Sequence, residues 1–94
     1  MATYIISYDL MKEGDAYRTA LKKLTDRIES TFSVRWKPLF SYWVVQSDKS
    51  AKEIRDNLQQ VIDSNDRLIV VKSARDAAWC GFSDAGNKWL RDNI

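Results

Sequence analysis

The sequence predicts an α+β fold, a four-stranded antiparallel sheet with two helices on one face, followed by an apolar tail and a short last helix. Three observations predict it. The run Thr3-Tyr4-Ile5-Ile6-Ser7 is β-branched and aromatic, as strands are. The segment Asp15 to Ser30 places apolar residues at helical spacing, and Ser50-Ala51-Lys52-Glu53 has the Ser-x-x-Glu form that opens a second helix.

The first strand ends at Tyr8-Asp9, and Met11-Lys12-Glu13-Gly14 makes a short polar connection. In the first helix Tyr17, Ala20, Leu21, Leu24 and Ile28 lie on one face, while Lys22, Lys23, Asp26, Arg27 and Glu29 fall mostly elsewhere. Phe32 to Trp36 then alternates apolar and polar, Pro38 interrupts, and Phe40 to Gln46 is strongly β-prone, which predicts two strands joined by a tight connection. After the capping box, Ile54, Leu58, Val61 and Ile62 form the buried stripe of the second helix. Asp63-Ser64-Asn65-Asp66 supplies turn chemistry, and Arg67 to Lys72 is a nearly continuous apolar strand. The order strand, helix, strand, strand, helix, strand is the ferredoxin-like βαββαβ arrangement, in which right-handed crossovers put both helices on one face.

That leaves the other face bare, yet the last strand is apolar on both sides, with Leu68 and Val70 opposing Ile69 and Val71. Trp43 and Val45 likewise oppose Tyr42 and Val44. A half-solvated sheet alternates more cleanly, so a second copy of the chain is expected to cover this face. The tail Ala77-Ala78-Trp79-Cys80-Gly81-Phe82-Ser83 is too apolar to fray, and Ser83 is placed to cap a final helix carrying Trp89 and Leu90, docked on this subunit or its partner.

Ninety-four residues, 45% hydrophobic and 30% charged, suit one globular domain over 1–94 that buries roughly 60–65% of its unfolded surface. No apolar run reaches membrane-spanning length and no secretory leader precedes the first strand, so a cytoplasmic protein with no membrane partner is expected. Histidine is absent and Cys80 is the lone cysteine, which excludes serine–histidine and cysteine–histidine catalysis, intrachain disulfides and a Cys/His zinc site. Acid–base chemistry near neutral pH then needs a carboxylate, Lys, Tyr or metal-bound water. The net charge of +2 neither announces nor forbids a nucleic-acid partner.

Asp9, where a strand opens into a loop, is the candidate catalytic and metal-binding residue, and Tyr8 is read as core. Its bland alternative is a structural ion pair with Arg67 or a loop cap. One or two carboxylates with waters and phosphate oxygens is the usual way to hold magnesium, and a two-fold axis would supply the second Asp9. Arg18, Arg35 and Lys37 are the candidate nucleic-acid contacts, the last two flanking Trp36 as charge flanks aromatics in single-strand binders. An ordinary charged edge strand gives the same pattern.

The phrases Thr3-Tyr4-Ile5-Ile6-Ser7-Tyr8-Asp9-Leu10, Asp63-Ser64-Asn65-Asp66 and Ala77-Ala78-Trp79-Cys80-Gly81-Phe82 resemble the CRISPR-associated protein 2 superfamily, in particular a group of small bacterial proteins within it. The resemblance implies a homodimer packed through the bare sheet faces, with the tail reaching toward the partner and Trp43, Val45, Trp79 and Phe82 at the interface. It also implies one of three activities: a magnesium-dependent endonuclease on RNA or DNA, a non-catalytic scaffold for a protein partner in an adaptation complex, or a ribonuclease of the toxin–antitoxin kind found among virulence-associated protein D relatives. Asp9 matches the family's metal-binding aspartate, Tyr8 its neighbour, and Ser41 with Trp43 its Ser-Val-Phe-like third strand. Here that strand reads Ser41-Tyr42-Trp43, and the basic residues after the first strand are represented only by Arg18.

Overall fold

A computed structural model describes residues 1–94. The chain runs β1 (Ala2–Asp9), α1 (Gly14–Thr31), β2 (Arg35–Leu39), β3 (Tyr42–Ser47), α2 (Ala51–Gln59), β4 (Arg67–Lys72) and α3 (Asp84–Asn93). The strands form one antiparallel sheet in the order β2-β3-β1-β4, the order expected of the ferredoxin-like arrangement. No helix is long and apolar enough to cross a membrane.

Period-two alternation sorts β1 onto two faces. Tyr4, Ile6 and Tyr8 join Trp43 and Val45 of β3 under the helices, where Leu24 and Ile28 of α1 and Ile54 and Leu58 of α2 complete the core. The stripe predicted for α1 is the one that packs, with Tyr17, Ala20 and Leu21 partly buried at its margin. At α2 the capping box is complete: the Ser50 hydroxyl accepts from the Glu53 N–H, and the Glu53 carboxylate accepts from the Ser50 N–H, each at 3.1 Å.

The second strand begins later than its alternation suggests. Phe32 is 3% exposed and closes α1 by donating its N–H to the Ile28 carbonyl, so the chain enters the sheet only at Arg35. Pro38 lies inside β2 and does not end it. The register passes from Trp36 opposite Val44 to Leu39 opposite Tyr42, which leaves one extra β2 residue between them. A bulge on an edge strand is where the missing N–H of proline costs no ladder hydrogen bond.

The second sheet face is partly covered by this chain's own tail. Val44 is fully buried although it faces away from α1 and α2, and its register partner Trp36 packs against Phe82 and Trp89, with ring centroids 5.6 and 5.5 Å apart. Ser83 caps α3 by accepting the Gly86 N–H at 3.2 Å. The far end of α3 is tied to the sheet by Thr3 donating to the Asn93 carbonyl and by Gln46 donating to the Asn93 side chain at 3.3 Å. The β4 side of this face stays open, with Ile69 59% and Val71 48% exposed.

Gly86 lets α3 approach closely, since a Cβ there would stand 2.9 Å from the Trp36 indole and 3.2 Å from Phe82 Cβ. Gly86→Val is expected to destabilise the protein by about 2 kcal/mol through overpacking and to weaken the near-ultraviolet circular dichroism of the tryptophan cluster. Unchanged urea denaturation and spectrum would show that α3 does not depend on this contact.

Candidate functional site

Asp9 is the last residue of the central strand and is exposed. Its register partner is Arg67, the first residue of β4. Pairing on the backbone does not join the side chains: neither residue takes part in any of the ion pairs, of which the nearest in sequence are those of Lys12 with Asp63 and Asp66. Beside them lies a shallow hollow of about 240 Å³, walled also by Ser7, Tyr8, Leu68 and Ile69. The β2–β3 hairpin bounds this end of the sheet. Ser41, with φ 57°, turns its carbonyl onto β1, where it accepts from the Tyr8 N–H at 3.3 Å and the Ser7 hydroxyl at 3.1 Å. Ser41 therefore acts through its backbone, in the turn just before β3.

Tyr8 is core, as its alternation requires. It is 6% exposed, and its hydroxyl accepts from the Trp43 indole N–H at 3.2 Å across the strands. Burial pushes its phenol above the ordinary value, only partly offset by the Trp43 hydrogen bond. A phenol so placed serves packing.

The carboxylate nearest Asp9 in the β4 turn is already committed. The Asp66 side chain is 1% exposed and accepts from the Met11 N–H at 2.7 Å and the Asp63 N–H at 2.9 Å, with the Lys12 ammonium 3.7 Å away. Burial raises its pKa, but those two backbone donors and Lys12 outweigh it, and the net shift is downward. This clamp joins the loop after β1 to the turn before β4 and so holds the Asp9 end of the sheet together. Asp63 and Asp66 are legible in the sequence as a turn; the bond to Met11, remote along the chain, leaves no local signal.

Nowhere does the chain bring three or more Asp, Glu or Cys side chains together in a metal-holding cluster. Asp9 is a lone carboxylate at this end of the sheet, and magnesium, which accepts one or two carboxylates, would take its other ligands from water or phosphate oxygens.

The proposed nucleic-acid cations are engaged separately. Arg18 pairs with Asp15 on the exposed side of α1. Arg35 donates to the Phe32 carbonyl at 3.0 Å and lies 3.8 Å from Glu29, at the end of α1. Lys37 sits over the Phe40 ring, 5.1 Å from its centroid, near the hairpin tip. None of the three lines the hollow beside Asp9, whereas Arg67, read from the sequence only as an ion-pair partner, does.

Two of the four expected interface residues need correction. Trp43 and Val45 are 7% and 0% exposed within the helix-side core, because their alternation pairs them with Ile6 and Tyr4, so they are not available to a partner. Phe82 packs on Trp36 of its own chain, and the Trp79 indole N–H donates to Asn87 at 3.2 Å. The open large apolar residues are Ile69 and Val71 on β4, Leu39 and Phe40 at the hairpin, and Met1 and Met11 beyond the two ends of β1. No protein-family model matches this chain, and no solved structure matches it.

Two substitutions test these assignments. Tyr8→Phe leaves the buried Trp43 N–H without its acceptor and is expected to cost about 1–3 kcal/mol of stability; a neutral result would remove the structural role given to the hydroxyl. Asp66→Ala strips acceptors from two backbone donors and is expected to cost about 2 kcal/mol or more near pH 7. Because the folded-state pKa of Asp66 is depressed, its contribution is complete above the unfolded value of about 3.9 and is lost as pH falls through the folded one. Urea denaturation should therefore show the gap between wild type and variant narrowing under acid, and a gap that widened would contradict the clamp.

Proposed function

We propose that this chain works as a homodimer on nucleic-acid phosphodiesters, in the manner of CRISPR-associated protein 2, with the Asp9 carboxylates of two copies as the magnesium-binding pair. The observation that carries the reading is an exposed carboxylate without a partner at the end of the central strand, beside an apolar flank that is also unpartnered. A second copy laid on Ile69 and Val71 would remove that apolar surface from water, and a two-fold axis close to the hollow would bring equivalent residues together.

In such a pair each residue has a defined task. Asp9 would supply the charge that holds the ion, and Arg67, its register partner and without an acid partner, would neutralise a phosphate oxygen. The bound ion supplies polarisation of the phosphate and a more acidic attacking water. With histidine absent and Tyr8 buried, solvent is the proton acceptor that this site leaves available.

A second reading, a non-catalytic dimeric scaffold for a protein partner, is favoured by one observation: a single chain contributes only one carboxylate to the site. The readings separate by assay. Purified protein is expected to cleave at least one of single- and double-stranded RNA and DNA with magnesium, and Asp9→Asn to lose about 100-fold or more of that rate, the scale of removing an essential ligand or its supporting shell. Absent cleavage would leave the scaffold reading, whereas metal-independent cleavage or an undiminished Asp9→Asn would refute the magnesium-binding role given to Asp9. Light scattering is expected to give a dimer at micromolar concentration and a monomer for the double variant Ile69→Lys, Val71→Lys; a monomeric wild type would count against both.

A further inference from the structure

The opposite end of the sheet carries a second concavity, unrelated to Asp9. A cavity of about 810 Å³ opens between the N-terminal end of β1, the chain after β4 and the last turn of α3. Thr3 on its rim is roughly 20 Å along the strand from Asp9, at ~3.3 Å per residue. We propose that this cavity binds a nucleoside phosphate, its phosphate on Arg75 and Arg91 and its base against Trp79.

Charge is the first argument. Among the cationic side chains with no ion pair, hydrogen bond or aromatic partner, Lys23, Lys49 and Arg67 lie on separate elements, whereas Lys72, Arg75 and Arg91 all line this cavity. The one acidic side chain in the lining, Asp92, is held by Lys88 at 2.6 Å, and the Ile94 carbonyl oxygen takes the Ser73 hydroxyl at 2.7 Å. Arg75, from the chain after β4, and Arg91, from α3, bring two guanidinium groups to one cavity, and guanidinium groups match phosphate oxygens in pairs.

The geometry around Arg75 is built. Its backbone is held at φ 67°, in the left-handed region that a side chain with a Cβ seldom adopts, and its N–H donates to the Ser73 hydroxyl at 3.1 Å. Size and lining select the rest of the ligand. The cavity far exceeds what phosphate fills and matches the range of small-ligand sites. Trp79 forms one wall, its ring fixed by the Asn87 hydrogen bond, and aromatic rings accept any base on their faces. Thr3, Gln46 and Asn93 add neutral polar groups to the lining for base or ribose edges.

Isothermal titration calorimetry on the whole chain at low ionic strength tests this with adenosine monophosphate, adenosine, inorganic phosphate, and a dinucleotide with and without a 5′-phosphate. The monophosphate should bind saturably and at least about tenfold tighter than adenosine or phosphate alone. Arg91→Gln and Arg75→Gly, the latter suited to the positive φ, should each weaken it about tenfold. Trp79→Leu should weaken the monophosphate and leave phosphate unchanged, with Trp79→Phe restoring binding. Arg18→Gln and Asp9→Asn should bind as wild type, so this result is independent of the reading of Asp9. Tighter binding of the monophosphate identifies a free nucleotide as ligand, and tighter binding of the phosphorylated dinucleotide identifies a chain end. Absence of saturable binding by every phosphorylated probe, undiminished binding by both arginine variants, or a monophosphate no tighter than phosphate would overturn the proposal.

Discussion

β1 is hydrogen-bonded on both sides, to β3 and to β4, and this double pairing is the constraint on which the rest of the structure depends. A strand bonded on both edges cannot slip by one residue without turning its whole apolar set to the other face. Its register places Ile6 beside Trp43 and Val70, and Tyr4 beside Val45, so three strands present one continuous apolar surface to α1 and α2. The one polar contact inside that surface, Trp43 to Tyr8, satisfies both groups across the same ladder. No buried side-chain nitrogen or oxygen is left without a partner.

The same register decides what the other face must do. Val44 and Ile5 point away from the core helices, and burying Val44 requires a second layer. That layer is α3, brought close by Gly86 and wedged by Trp36 between Phe82 and Trp89. The helix covers the β2–β3 side and leaves β4 open, so the sheet has one finished face and one half-finished face. The two ends of β1 then differ in character. One ends in an isolated carboxylate with Arg67 alongside, the other beside a cavity lined by cations.

Much of the fold was legible because it rests on local rules. The Ser50 box, the Ser83 cap, the α1 stripe and the β4 boundaries need only neighbours a few residues away. β2 was displaced for a reason of the same scale seen from the wrong side: Phe32 alternates like a strand residue but is claimed by the end of α1. Pro38 interrupts the strand pattern of the sequence, and an edge strand with a bulge accommodates it. The position of Asp9 was legible, since a strand end and its antiparallel partners follow from topology. The fate of the charges around it was not, because Asp66 finds Met11 and Lys12 across more than fifty residues.

The sequence by itself determined which residues share a face, where elements start, and which chemistries are closed to a chain without histidine. Periodicity, caps and composition are properties of contiguous residues, and they survive without coordinates. Only the tertiary structure decided which apolar face each set meets. Trp43 and Val45 are as apolar as interface residues and are buried beneath helices; Ile69 and Val71 read like core and are exposed. Hydrophobicity drives burial without naming the surface that provides it, and that surface is set by the packing of segments distant in the chain.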